Sequence, residues 1–540
     1  MSLKNKSRRK FFNDAGKFSV ATTGFYGLEN LLQILFQNAY AEAAGTTTYD
    51  YNYVNLMTPG APPRWYFDQP LNPENQSAQF IPAGFGTEIK QTGSLWLPVY
   101  KGYKQKFGAD DVFLPPVWRL KSAAGENFSS LLKEMIMVRG VDMEINSHTL
   151  NQERTVRPFS TSASISGLVG HASSAPTPSI GFTTSRGTSV FRGVGSAAGI
   201  AVNSANPIPG ITTPFNVNKV VKKDDLDYSI KQSLSEMDKF AKLNNYPSVG
   251  AEDNLDKTYD MFARNLASYQ TNYTAIFNKY KAILTQETAL EIPEISERSL
   301  LTSIVPDGGA VFGTAPSKTL NGSNFRTIYE AGSVPVQMAS AFAFCEFALG
   351  EKITSSLTLD LGTATFNNVG GATMPSDQHY AGAVSSIVFT TTFYRCMLAC
   401  MLELRKALQA KNMYDKTLFH FSSEFSRTPQ ANMAGSDHGF NSGSTSFISG
   451  MIAPTGAGLV GNIQKESSDV KEKGLYPGTW GKSAPTKFND GKSRHIINDD
   501  VVSTVCEFMQ IPKIGTKGQS LVSNNNGKFS LLVKEKKNVG

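Results

Sequence analysis

Residues 353–421 constrain the fold more than any other part of this chain. The alternating run Ile353–Leu361 reads as a strand, Ala383–Ala410 as one long helix, and the β-prone run Thr417–Phe421 as the next strand. Two strands joined through a helix point to parallel pairing, because parallel neighbours need a long crossover. Other segments extend the pattern. Tyr51–Met57 and the apolar run Met135–Val141 read as strands, Phe128–Lys133 and Ser340–Leu349 as helical. Phe447–Ile452 is a further apolar run with strand character, and Asn498-Asp499-Asp500 is set to cap a helix over Val501–Gln510. The class expected is α/β with a parallel sheet.

Composition divides the rest. From Thr155 to Asn218 the chain is rich in Ser, Thr, Gly and Pro, yet Ile165, Leu168, Val169, Ile180, Phe182, Val190 and Phe191 are spaced as in ordered loops and short strands. Residues 222–300 turn charged and helical in period, with Leu255, Tyr259, Phe262 and Leu266 on one face. They read as a helical insertion whose tyrosines (Tyr259, Tyr269, Tyr273, Tyr280) serve its core. The α/β domain is then divided into 42–221 and 301–515, and the polar stretch from 516 to 540 is expected at the periphery. Four cysteines are too few for a disulfide framework; Cys396 and Cys400, one helical turn apart, are expected as buried thiols.

The N-terminus carries an address. Ser7-Arg8-Arg9-Lys10-Phe11-Phe12 matches the twin-arginine export pattern, and Ala39-Tyr40-Ala41 is a small-x-small cleavage site. Between them Phe18–Phe36, interrupted by Glu29, is too polar for a transmembrane helix. The expected location is periplasmic or secreted. Residues 1–41 hold +4 of the formal +7, so the processed chain gives no electrostatic case for nucleic-acid binding.

Candidate chemistry gathers after strands, where loops can aim side chains into a crevice. Thr417–Phe421 is followed by Ser422-Ser423-Glu424, then by a loop with Arg427, Pro429 and Asn432, then by Ser436-Asp437-His438-Gly439. Glu424, Asp437 and His438 make an oxygen-and-nitrogen set suited to zinc or manganese. Met135–Val141 is followed by Asn146-Ser147-His148-Thr149, where His148 could orient Ser147. His420 reads as a satisfied core residue and His495 as a possible late ligand.

Ser423-Glu424-Phe425-Ser426-Arg427-Thr428-Pro429, with Asn432 and Gly435-Ser436-Asp437-His438-Gly439, resembles a specific family motif, SEFGRTP followed by GTDHG. Its bearers are functionally uncharacterised bacterial proteins exported by the twin-arginine route. They belong to the alkaline-phosphatase-like (sulfatase/phosphoglycerate-mutase-like) superfamily. Asp499–Val505 also resembles the family's closing helix. The likeness covers about 415–512, is weaker over 50–170 and lapses across the insertion.

The resemblance implies a doubly wound, mainly parallel α/β sheet and, in active members, divalent metals flanking a Ser or Thr nucleophile, here Ser147. It also implies an Asp-x-His ligand pair after the strand before the long helix. Gly362-Thr363-Ala364-Thr365-Phe366 lacks that pair; Asp377 and His379 lie downstream, either as substitutes or as the start of the long helix, where an Asp is favoured by the helix dipole. The first strand should likewise end near an acidic ligand, but Asp68 is ten residues beyond Thr58.

Two functions follow from this. One is a binding or assembly protein of the cell envelope with a degenerate metal site, using 222–300 and 58–120 as surfaces. The other is a metal-dependent hydrolase of a small phosphate or sulfate ester, using Ser147, Glu424, Asp437 and His438. The export reading is directly testable: replacing Arg8 and Arg9 by Lys should abolish appearance of the protein outside the cytoplasm. An undiminished periplasmic yield would refute it.

Overall fold

The computed structural model describes residues 50–58, 60–71, 87–92, 95–145, 147–157, 163–173, 175, 177, 179–183, 200–203, 207–212, 266–289, 333–361, 366–369, 372–374, 383–429, 436–438, 442–465, 480–513 and 517–539. Residues 1–49, where the export signal is expected, residues 222–265 and 290–300 of the expected insertion, Val190, Phe191, Gly362–Thr365, Asp377 and His379 lie outside the described residues. Of His171, Phe366, Asp437 and His438 only the backbone is described.

Among the described residues one mixed sheet organises the chain. Its strands are β1 (Asn52–Met57), β2 (Met135–Asp142), β3 (Ile180–Thr183), β4 (Ile200–Asn203), β5 (Ser356–Asp360), β6 (Thr417–Ser422), β7 (Ser442–Ile448), β8 (Gly458–Val460) and β9 (Ile496–Ile497). Their order is β4-β3-β5-β1-β6-β7-β2-β8, and β9 pairs with the C-terminal half of β2. Only β7 runs against the others, pairing antiparallel with β6 and β2. The pairings among β1, β3, β4, β5 and β6 are all parallel. β1 and β6 are buried along their whole length, as strands covered on both faces must be.

The two covered faces can be traced through aromatic contacts. Phe421 of β6 meets Phe67 edge-on, and Phe67 stacks on Tyr394 of α5 (Ala383–Ala410), the long crossover helix, at 4.8 Å. The preceding residue, His420, packs on Phe447 of β7, which touches Phe508 of the closing helix α6 (Asn498–Met509). Successive strand side chains point to opposite faces, so α5 and α6 cover opposite sides of the sheet. In α6 it is Asp500, inside the first turn, that accepts the Ile497 N–H at 3.0 Å, while Arg494 pairs with the same carboxylate.

The insertion contributes α3 (Leu266–Ala289), which lies against α4 (Ser333–Gly350). Tyr280 donates to Glu346 at 2.7 Å, Tyr273 meets Ser340 at 2.7 Å and Tyr269 packs edge-on against Phe347. These tyrosines are buried and belong to the core. So do Ile165, Leu168 and Val169 of α2 (Ile165–Ala172) and Ile180 and Phe182 of β3 in the Ser/Gly-rich region, and all four cysteines are buried free thiols. No helix among the described residues is long and apolar enough to cross a membrane.

Two segments depart from the pattern of the sequence. The next strand of the main sheet after Glu424 is Ser442–Ile448, largely upstream of the apolar run Phe447–Ile452. Hydrophobicity misses it because its buried partners are polar: Ser444 and Ser446 donate to Asp68, and Thr445 meets His420. The closing stretch 517–539 is not peripheral. A hairpin of Val522–Asn525 and Lys528–Leu531 places Leu521, Val522 and Phe529 in the core, with Phe508 packed on Phe529. Sparse apolar residues among many polar ones conceal that docking.

His420 is a neutral core residue with a fixed tautomer. Thr445 Oγ1 donates to the Phe421 carbonyl at 3.0 Å, so it accepts Nε2–H of His420 at 2.7 Å, and Tyr53 donates to Nδ1 at 2.8 Å. Burial, with Arg64 adding to it, lowers the imidazole pKa from 6.5 to about 3. Above the unfolded value both states are neutral and nothing is lost. As pH falls below 6.5 the unfolded chain takes up a proton that the folded chain refuses down to about 3. Within that window His420 should lower stability by about 1.4 kcal/mol per pH unit. Denaturant midpoints measured across the window should show a shallower slope in His420→Gln; identical slopes would contradict the assignment.

Candidate functional site

The carboxyl ends of β1, β6 and β2 and the first residue of β7 lie along one edge of the sheet. The chain leaves β1 at Met57, and Thr58 still donates to Ser422 of β6 at 3.0 Å. It then turns through Gly60 at φ +91° and Ala61 at φ +50°. The Ala61 value is left-handed and unfavourable for a residue with a Cβ, so the turn needs outside support. Two charged side chains from the segment after β6 supply it.

Glu424 is fully buried, and both its carboxylate oxygens accept the Gly60 N–H at 3.0 Å. Arg427, also fully buried, donates from Nε to the Ala61 carbonyl at 2.7 Å and from Nη2 to the Gly60 carbonyl at 2.8 Å. The acid therefore holds the turn by its donor and the base holds it by its acceptors. Charge-assisted bonds of this kind are stronger than neutral ones.

The same carboxylate reaches a third element. After β2 the chain enters α1 (His148–Arg154), with Ser147 at the N-cap position. His148 and Gln152 are four residues apart and so share a face of the helix. Both meet Glu424: His148 Nδ1 lies 2.6 Å from Oε2, and Gln152 Nε2 donates to Oε1. His148 is half-buried, its ring 4.9 Å from that of Phe425. Bonding Nδ1 to a carboxylate sets the imidazole's orientation and makes Nδ1 the protonated nitrogen.

The structure thus unites Glu424 and His148, which the sequence placed in separate candidate groups. Ser147 sits at the carboxyl side of β2, and its hydroxyl does not cap α1. The backbone of Ser436–His438 forms a hairpin with Arg427–Pro429, pairing His438 with Arg427 and Asp437 with Thr428. Asp437 and His438 therefore belong to the segment that immediately follows Glu424. Among the described residues no three His, Cys, Asp or Glu side chains form a metal-ligand set.

Other polar residues near the edge are committed elsewhere. Asp68 turns inward, where Arg64, Ser444 and Ser446 all donate to it. His495 bonds through Nδ1 to Ser483 at 2.8 Å, and Ser483 donates to the Gly140 carbonyl at 2.7 Å. Gly60 and Gln152 entered the site only through tertiary contacts, whereas Arg427 stood in the sequence motif without an assigned role. Gln152 had one sequence signal, its four-residue spacing from His148.

Comparison with protein-family models, with curated proteins and with solved structures gives no match. The chemistry of the edge is therefore read from its own residues. Glu424→Ala would strand the Gly60 N–H and the donors of His148 and Gln152 in a buried place, at a cost on the order of 3 kcal/mol. Thermal denaturation should show that loss, with Glu424→Gln intermediate because its amide retains an acceptor. An Ala variant within about 0.5 kcal/mol of the parent chain would refute the anchoring role.

Proposed function

We propose that this is an exported protein on an alkaline-phosphatase-like scaffold whose metal site has degenerated, and that it acts as a binding or assembly protein of the cell envelope. The observation that carries this reading is the occupancy of Glu424. A carboxylate has about four lone-pair directions, and here its oxygens already accept from Gly60, His148 and Gln152. His148 is likewise bound to the acid through Nδ1 rather than turned away from it. This donor set does not fit a carboxylate ligand held ready for a divalent ion. Ala364 and Phe366 stand where the resemblance calls for an Asp and a His.

Three features support the scaffold half of the proposal: the mostly parallel sheet with its reversed strand β7, helices on both faces, and the motif residues at the carboxyl edge. Fold by itself does not assign chemistry. The envelope half rests on the twin-arginine pattern Ser7–Phe12. The surface this reading offers to a partner is the insertion, because the described aromatic side chains of 58–120, among them Trp65, Phe67 and Trp118, are buried.

A second reading, a zinc- or manganese-dependent hydrolase of phosphate or sulfate esters, is favoured by the hairpin that sets Asp437 and His438 beside Arg427–Thr428. One experiment separates the two. Purified mature protein should carry well under one equivalent of transition metal and show no turnover of phosphate or sulfate monoesters. Stoichiometric zinc or manganese, with ester hydrolysis abolished by Ser147→Ala, would overturn the degenerate reading in favour of the hydrolase.

A further inference from the structure

Just inside the sheet edge, between β2, β6, β7 and the start of α6, lies a small cavity whose polar lining is Thr155, His420, Ser423, Ser444, Thr445 and Asn498. Its hydroxyl protons all point elsewhere. Thr155 donates to the Gln152 carbonyl at 2.9 Å and Ser423 to the Thr58 carbonyl at 3.3 Å. Ser444 donates to Asp68 at 3.1 Å and Thr445 to the Phe421 carbonyl at 3.0 Å. The proton of His420 is bound to Thr445. The hydroxyl oxygens retain only acceptor capacity, both nitrogens of His420 are engaged, and the Asn498 amide can donate or accept, so the guest must bring protons of its own.

Size and charge narrow the choice. The cavity volume is about 10 Å³, and one water needs roughly 10–15 Å³ on this measure. A sodium-sized cation would meet the same oxygens, but no carboxylate lines the cavity to offset its desolvation, which is costly for an unpaired ion. Arg64 and Asp68, both bound to the lining Ser444, form an ion pair with each other and leave no net charge there to draw in an ion. A neutral donor with two protons satisfies the site without the desolvation cost.

We propose that this cavity is a binding site for a single internal water, donating to two of the hydroxyl oxygens of Thr155, Ser423 and Thr445 and contacting the Asn498 amide. Such a water joins α1, β6, β7 and α6 at the point where the Glu424 anchor begins. The inference does not depend on whether the edge binds metal. A crystal structure of the mature chain, at a resolution that shows ordered solvent, should contain one water within hydrogen-bonding distance of at least two of these side chains. The same crystals soaked in thallium should give no anomalous peak there. A dry cavity or a thallium peak would overturn the proposal. In solution, water-oxygen magnetic relaxation should lose one long-lived water in Val141→Ile, whose extra methylene enters the cavity from its apolar wall. An unchanged count in a folded variant would also overturn it.

Discussion

The carboxylate of Glu424 ties together three pieces of chain that are remote in sequence. It accepts the Gly60 N–H after β1, and His148 and Gln152 reach it from α1 after β2, while Glu424 itself follows β6. These strands are adjacent or nearly so in the sheet, and the shared acceptor links the segments that leave their carboxyl ends. Arg427 completes the arrangement by binding the carbonyls of the same turn. An acid and a base, both buried, are tolerable here because each is held by several hydrogen bonds; removing those partners would cost several kcal/mol. The geometry of the whole carboxyl edge follows from that requirement.

A second buried pair performs the same task one layer inward. Asp68 and Arg64 are fully buried, and Ser444 and Ser446 complete the shell of the acid. This explains why β7 is built from Ser, Thr and Gly although it lies in the middle of the sheet. On one face its hydroxyls answer Asp68; on the other, Thr445 fixes His420. The strand is buried for the sake of polar complementarity as much as for hydrocarbon packing.

Periodicity alone revealed the elements whose burial is apolar. β1, β2, β6, α4 and α5 carry continuous or helically spaced hydrophobic residues; the expected spans of β1, β2, β6 and α5 lie within a residue of the observed ones, while α4 starts at Ser333, well before the expected Ser340. The tyrosines of α3 and the buried cysteines followed the same logic. Where burial is polar, the signal failed. Ser442–Ser446 offered no hydrophobic pattern, and Leu521 and Phe529 were too isolated to betray the docking of the last hairpin. At the site, the Ser423–Pro429 motif marked the right segment, but the partners of Glu424 and Arg427 come from residues more than 270 positions away.

The amino-acid sequence by itself determined the α/β class, the parallel crossover through α5 and the segment from which the site would be built, because local spacing encodes which face of an element is apolar. Only the tertiary structure decided what Glu424 binds, where Asp68 turns and why β7 runs against its neighbours. Hydrogen-bond partners of buried charges are chosen by proximity in space, and no local pattern records a contact between residues 60, 148 and 424.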